Sequence, residues 1–292
     1  MQVGMEASAQ KEDWKGAAQD AGNLSELYLT SGEVSQAVAS ARQSVDFADR
    51  SGDGFMREVD RCILADALHQ AGRFAEAEKL FHEAEILRQK REPWYPYLYS
   101  LEGFRFCDLL LSQGQYQEVQ KRDWQMIDWE DEGWMSLLDR AKDRLILGRV
   151  FLLQVLVETT DLSLRASAFN QARDYLQQAV AGLREAGYQY YLPLGLLARA
   201  ACYRAQNEFA PAWADLEEAR EIAERGEMKL FLADYHLEAC RLCLAEGKAH
   251  GAEGKKEKAQ KHLAVAKEMI EKMGYGRRKA EVEALQREIE KL

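Results

Sequence analysis

Leu64-Ala65-Asp66-Ala67-Leu68-His69-Gln70-Ala71-Gly72, followed by Ala77, is echoed twice more in this chain. One echo is Leu24-Ser25-Glu26-Leu27-Tyr28 with Gly32 and Ala37; the other is Ala198-Arg199-Ala200-Ala201-Cys202-Tyr203 with Asn207 and Ala212. Each reads as an apolar helix, a short polar break, and a second helix that opens on a buried alanine. Such a hairpin cannot cover its own apolar face, so several copies must stack in a row. The expected fold is all-α, a right-handed α-solenoid.

Working outward, Ala37, Ala77, Val119, Ala172, Ala212 and Ala259 open the second helices of about six elongated hairpins. Four residues after each comes Ala41, Phe81, Asp123, Leu176, Leu216 or Leu263, and three further on Ser44, Ala84, Met126, Ala179, Ala219 or Ala266. Residues three and four apart share a helix face, so these positions form one stripe. Small residues let two helices approach and the larger one fills the hole between them. The first helices carry their own stripe: Ser25, Ala65, Cys107, Ala200 and Cys240, then Tyr28, Leu68, Leu110, Tyr203 and Cys243.

The third copy fits worst, with Val119 and Asp123 at packing offsets. In the fourth, Ala172 comes late, which predicts an inserted turn or longer loop over Thr159 to Ala168. The sixth carries a Gly-, Ala- and Lys-rich insertion from Lys248 to Lys256. Val282, Leu285 and Ile289 lie on one side of a last helix, from about Arg278 to Lys291, and read as a cap over the final apolar face. The predicted organisation is a solenoid over 12–275 and a capping helix over 276–292, after a short featureless start from Met1 to Lys11. Pro93, Pro96 and Pro193 fall in approaches to first helices and Pro211 in the first turn of a second, where a missing N–H matters least.

An aromatic two residues past the break (Phe74, Tyr116, Phe209) completes an arrangement that resembles the tetratricopeptide repeat. The unit here is longer than that family's, which should lengthen each helix pair.

A net charge of −10 argues against a nucleic-acid backbone or an anionic membrane as the main partner. Five cysteines, an odd number scattered through helices, fit free thiols in a reducing compartment. No basic segment precedes an apolar run at the start, and no uninterrupted apolar stretch approaches membrane-spanning length. The chain is expected to be cytoplasmic, and its early first repeat is what a piece excised from a longer protein would show.

Chemistry-bearing clusters are few. His236, Cys240 and Cys243 share one helical face and could offer zinc soft ligands. They also fall on the packing seam, where cysteine is a good small filler; no fourth ligand is obvious, since His262 would need to reach across the pair. No phosphate loop, triad or paired catalytic carboxylate is placed by the pattern. The expectation is a protein with no enzyme activity, no cofactor and no metal.

Aromatics crowd into residues 94–134, from Trp94, Tyr95, Tyr97, Tyr99, Phe104 and Phe106 to Trp129 and Trp134, with a second knot at Tyr188, Tyr190 and Tyr191. They are either binding anchors or fillers of wide gaps between irregular repeats. In repeats of this kind the first helices line the concave face. Their polar residues off the stripe are therefore the candidate contact set: Asn23, Glu26, Asp66, His69, Gln70, Arg105, Asp108, Arg149, Arg204, Glu238 and Arg241. The four arginines point either to a partner with carboxylates at its surface or to pairing with neighbouring Asp and Glu.

Longer strings go beyond the generic repeat. Ala48-Asp49-Arg50-Ser51-Gly52-Asp53, Leu64 to Arg73, Tyr95-Pro96-Tyr97-Leu98-Tyr99, Gly103-Phe104-Arg105-Phe106-Cys107-Asp108, Glu221-Ile222-Ala223-Glu224-Arg225-Gly226 and Met273-Gly274-Tyr275 with Arg277-Arg278 are such strings. Over about residues 14–287 the chain resembles the C-terminal tetratricopeptide array of bacterial multidomain signalling NTPases, in which a NACHT or NB-ARC ATPase precedes the repeats. The resemblance implies a non-catalytic array that binds a protein or peptide, senses a trigger and restrains an upstream NTPase or effector domain of the same full-length chain. A stand-alone scaffold or peptide receptor is the alternative. One departure is Gly276, where the resemblance leads one to expect a histidine.

Overall fold

Several breaks among the described residues close with the same hydrogen bond. The N–H just past the break donates to the carbonyl five residues earlier: Glu33 to Tyr28 at 2.7 Å, Arg73 to Leu68 at 2.8 Å, Glu208 to Tyr203 at 2.9 Å and Met228 to Ala223 at 2.8 Å. This Schellman closure needs a left-handed residue at the bend, supplied by Gly72 at φ 78° and by Asn207 at φ 60°.

The structure, a computed structural model, describes residues 2–95, 97–122, 135–157, 162–251 and 254–291. Its helices are α1 (Gln2–Gln10), α2 (Trp14–Thr30), α3 (Val34–Ser51), α4 (Gly54–Gln70), α5 (Phe74–Arg91), α6 (Ser100–Ser112), α7 (described over 116–122), α8 (Leu137–Val157), α9 (Leu162–Ala186), α10 (Leu192–Ala205), α11 (Phe209–Arg225), α12 (Lys229–His250), α13 (Lys255–Met273) and α14 (Lys279–Glu290), with a 3-10 turn at Gly276–Arg278. Among the described residues there is no strand, and consecutive helices pack as neighbours: α2 on α3, α4 on α5, α8 on α9 and α10 on α11. None of the described helices is long and apolar enough to cross a membrane.

The chain forms two compact units, Met1–Leu109 with Ile270–Arg278, and Leu110–Met269 with Lys279–Leu292. In the first, the stripes Ala37, Ala41, Ser44 and Ala77, Phe81, Ala84 are fully buried, and Phe81 stacks on Phe106 with ring centroids 4.8 Å apart. The start of the chain is not featureless: α1 is helical and buries Met5, and it packs on α2. One buried ion pair was not evident in the pattern. Arg88 donates through Nε to Glu58 Oε1 at 2.7 Å, and its guanidinium lies 3.9 Å from the Tyr99 ring centre. Burial raises the Glu58 pKa despite Arg88 beside it.

In the second unit, Ala172, Leu176, Ala179 and Ala212, Leu216, Ala219 are buried, as are Val119, Ala259, Leu263 and Ala266. Asp123, Met126, Trp124, Trp129, Trp134, Pro96 and Thr159 lie outside the described residues. The loop expected up to Ala168 is helix from Leu162 onward, because Leu162 to Ala172 holds no glycine or proline to stop it. The late alanine thus reflects a longer second helix. Helix α8 lies close against it: a Cβ on Gly148 would fall 2.6 Å from Leu176 Cγ. Into the Lys248–Lys256 insertion α12 runs on to His250, and α13 starts at Lys255. Val282, Leu285 and Ile289 are buried on α14, which packs against α12.

Candidate binding surface

Glu26, Asp66 and Asp108 each stand six residues before a break glycine, Gly32, Gly72 and Gly114, and so hold equivalent places on α2, α4 and α6. Repeating a hairpin repeats its offsets, and the result is a ladder of three carboxylates. Guanidinium groups serve its rungs. Arg105, on α6, bonds Glu26 and has its Nε 3.3 Å from Asp66 Oδ2, while Gln70 donates to Asp66 Oδ1 at 2.7 Å. Burial raises the Asp66 pKa, and the Arg105 charge opposes it without cancelling it.

The second guanidinium comes from far along the chain. Arg277 donates to Asp108 Oδ2 at 2.6 Å and Oδ1 at 2.9 Å, and to Gln70 Oε1 at 3.3 Å. Its side chain is 7% exposed and that of Asp108 14%. Burial works to lower the Arg277 pKa and is the largest single influence, but the Asp108 charge and hydrogen bond together with Tyr275 outweigh it, so the guanidinium is held charged. His69 is buried on α4 with Nδ1 3.8 Å from Asp108 Oδ2. Asn23 is exposed on α2.

Two backbones in contact bring Arg277 there. A Cβ on Gly276 would fall 2.2 Å from the Ala71 carbonyl oxygen, and one on Gly72 2.8 Å from the Gly276 carbonyl carbon. Real Cβ atoms do not sit so close, so this docking needs glycine on both sides. That is the physical reason for Gly276 where the resemblance leads one to expect histidine. Tyr275, beside it, is buried. Arg277 was quoted in the resemblance but not placed in the candidate set; glycines on both sides of Tyr275, just before two arginines, are the local sign of a docked turn.

In the second unit, Arg204 on α10 donates to Glu238 Oε1 on α12 at 2.5 Å. Arg241 bonds Glu238 Oε2 at 3.2 Å and also Glu281 on α14. Arg149 is half-buried on α8. Of the two uses open to the arginines, pairing with the chain's own carboxylates is the one seen for Arg105, Arg204 and Arg241.

His236 and His262 do meet, Nδ1 to Nδ1 at 3.0 Å, with Tyr235 and Trp213 against the rings. Burial first, and then the neighbouring imidazole, push the His236 pKa down to about 4. One neutral ring donates and the other accepts. Cys240 and Cys243 are fully buried, and burial pushes the Cys240 thiol up to about 12 and raises that of Cys243. Thiols so raised stay protonated near neutral pH and pack as small apolar fillers of the seam. Among the described residues, no three His, Cys, Asp or Glu side chains gather as a metal-ligand set.

The aromatics divide. Tyr95, Phe104 and Phe106 are buried fillers, whereas Trp94 is 75% exposed and Tyr188 also faces solvent. Compared with known proteins, the chain matches no family model and no curated protein.

Proposed function

We propose that the chain is a right-handed solenoid of about six tetratricopeptide-like hairpins capped by α14, and that it is a non-catalytic array for binding a protein or peptide along its first helices. In the setting implied by the resemblance, it is the cytoplasmic sensor and autoinhibitory region of a bacterial signalling or defence NTPase. Its resting partner is then an upstream NTPase or effector domain of the same chain.

The observation that carries this reading is the row of charged side chains at facing positions on consecutive first helices: Glu26, Asp66, Arg105 and Asp108 in one unit, Arg204, Glu238 and Arg241 in the other. Stacking alone does not call for it, since the small and apolar stripes already join the hairpins and partly exposed ion pairs add little stability. A row of donors and acceptors that a ligand can re-pair gives orientation and selectivity. Binding then acts by differential affinity between resting and occupied states.

The test is to pan a displayed peptide library against the chain and map amide-exchange protection in the complexes. Protection centred on α2, α4 and α6, or on α10 and α12, is expected. Protection confined to α3, α5 and α11, or no binder at all, refutes the proposal.

A further inference from the structure

We propose that the carboxylate ladder of the first unit is an arginine-recognition site, filled in cis by Arg277, whose natural occupant in trans is a glycine–arginine turn presented by a partner protein. The inference rests on the array being a peptide-binding surface and names the chemistry that surface selects.

Three observations converge on it. First, Glu26, Asp66 and Asp108 repeat at one offset on three successive first helices, and stacked carboxylates repel one another unless a cation lies between them; the Asp108 charge indeed raises the Asp66 pKa. Second, both described cations on the ladder are guanidinium groups. Arg105 spans Glu26 and Asp66, and Arg277 meets Asp108 with two parallel N–H to oxygen bonds. That fork geometry is what arginine offers and lysine does not. Third, Arg277 arrives by a feature a partner can copy. The turn Gly274-Tyr275-Gly276 lays its backbone flat on Ala71 and Gly72 through the Gly276 contact, and Tyr275 is buried beside it. The recognised object is thus a short turn with a bare glycine followed by an arginine.

A cis occupant competes with a trans one, so apparent affinity for a partner falls by the fraction of time the site is free. Emptying the site should therefore reveal it. The probe is a fluorescein-labelled hexapeptide with the sequence of residues 274–279, read by anisotropy against the full 292-residue chain. Its control carries citrulline in place of the first arginine. The double variant Gly276→Ala with Arg277→Ala, in which the added Cβ lifts the turn off Ala71 and the guanidinium is gone, should bind the arginine peptide about tenfold or more tighter than the unaltered chain does. The citrulline peptide should lose about tenfold or more, since one charge-assisted pair is removed. Adding Asp108→Asn to that double variant should abolish the gain.

Circular dichroism checks that each variant is folded. If the double variant does not fold, Gly276→Ala alone serves instead, because its Cβ lifts the turn while leaving every ladder residue unaltered. A folded variant that binds the arginine peptide no better than the unaltered chain overturns the proposal, as does equal binding of the citrulline peptide. Either failure leaves peptides that protect α10 and α12 unaffected, so the arginine site and the broader array reading fail separately.

Discussion

Asp60 offers a measurement in which the sign as well as the size is set by the fold. It lies on α4 and is 1% exposed, and neither carboxylate oxygen has a hydrogen-bond partner among the described residues. The Ser44 hydroxyl is beside it and favours the ionised form, but its own hydrogen bond runs to the Ala41 carbonyl at 2.9 Å. Gly22 of α2 packs close on another side: a Cβ there would sit 3.0 Å from Asp60 Oδ1 and from Ile63 Cδ1. Burial dominates, Ser44 and Arg61 oppose it, Glu26 adds to it, and the carboxyl is pushed from its ordinary 3.8 up to about 7.

The folded state therefore binds more protons than the unfolded chain between about pH 4 and pH 7. Stability then falls as pH rises through that window and levels off above it. At about 1.4 kcal/mol per pH unit, the full penalty above pH 7 is about 4 kcal/mol. Asp60→Asn removes the titration but leaves an amide to bury, at about 1–3 kcal/mol. Its advantage over the unaltered chain should widen by about 2–3 kcal/mol between pH 5 and pH 8. Urea unfolding of both proteins at the two pH values, followed by far-ultraviolet circular dichroism, measures that difference, from which other titrating groups cancel. A gap that stays constant with pH, or narrows as pH rises, would refute the reasoning.

Two further perturbations probe the packing. Arg88→Ala removes the more buried of two guanidinium partners of Glu58, leaving Arg91 3.0 Å from Glu58 Oε2, and should lose about 1–3 kcal/mol in urea unfolding, much of it regained in a double variant with Glu58→Met; an Arg88→Ala loss within error of zero would mean Arg91 alone satisfies the carboxylate. Ala77→Leu forces a branched side chain between α4 and α5 at a fully buried stripe position. It should lose about 1–3 kcal/mol and lower the melting temperature, and an unchanged melt would count against the register assigned to that hairpin.

The hairpins were legible because their information is local. A stripe at offsets of four and three, and a Gly or Asn where the chain must bend left-handed, need only neighbouring residues; the structure buries Ala37, Ala77, Ala172, Ala212 and Ala259 and bends left-handed at Gly32, Gly72 and Asn207. Helix lengths were less legible. An extension such as Leu162 to Ala172 has no break to mark it, and its distance from the repeat period looks the same as a loop.

The candidate surface was legible as a set of positions but not as a set of bonds. Glu26, Asp66, Arg105 and Asp108 could be assigned to one line of first helices, yet which cation each carboxylate meets depends on a turn 169 residues after Asp108 coming back to touch Gly72. Likewise the burial of Asp60 between α2 and α4 follows from how hairpins stack. Periodicity within a helix is fixed by the backbone geometry of the chain itself, whereas partners across the fold, and the burial that shifts their charges, exist only once distant segments share one space.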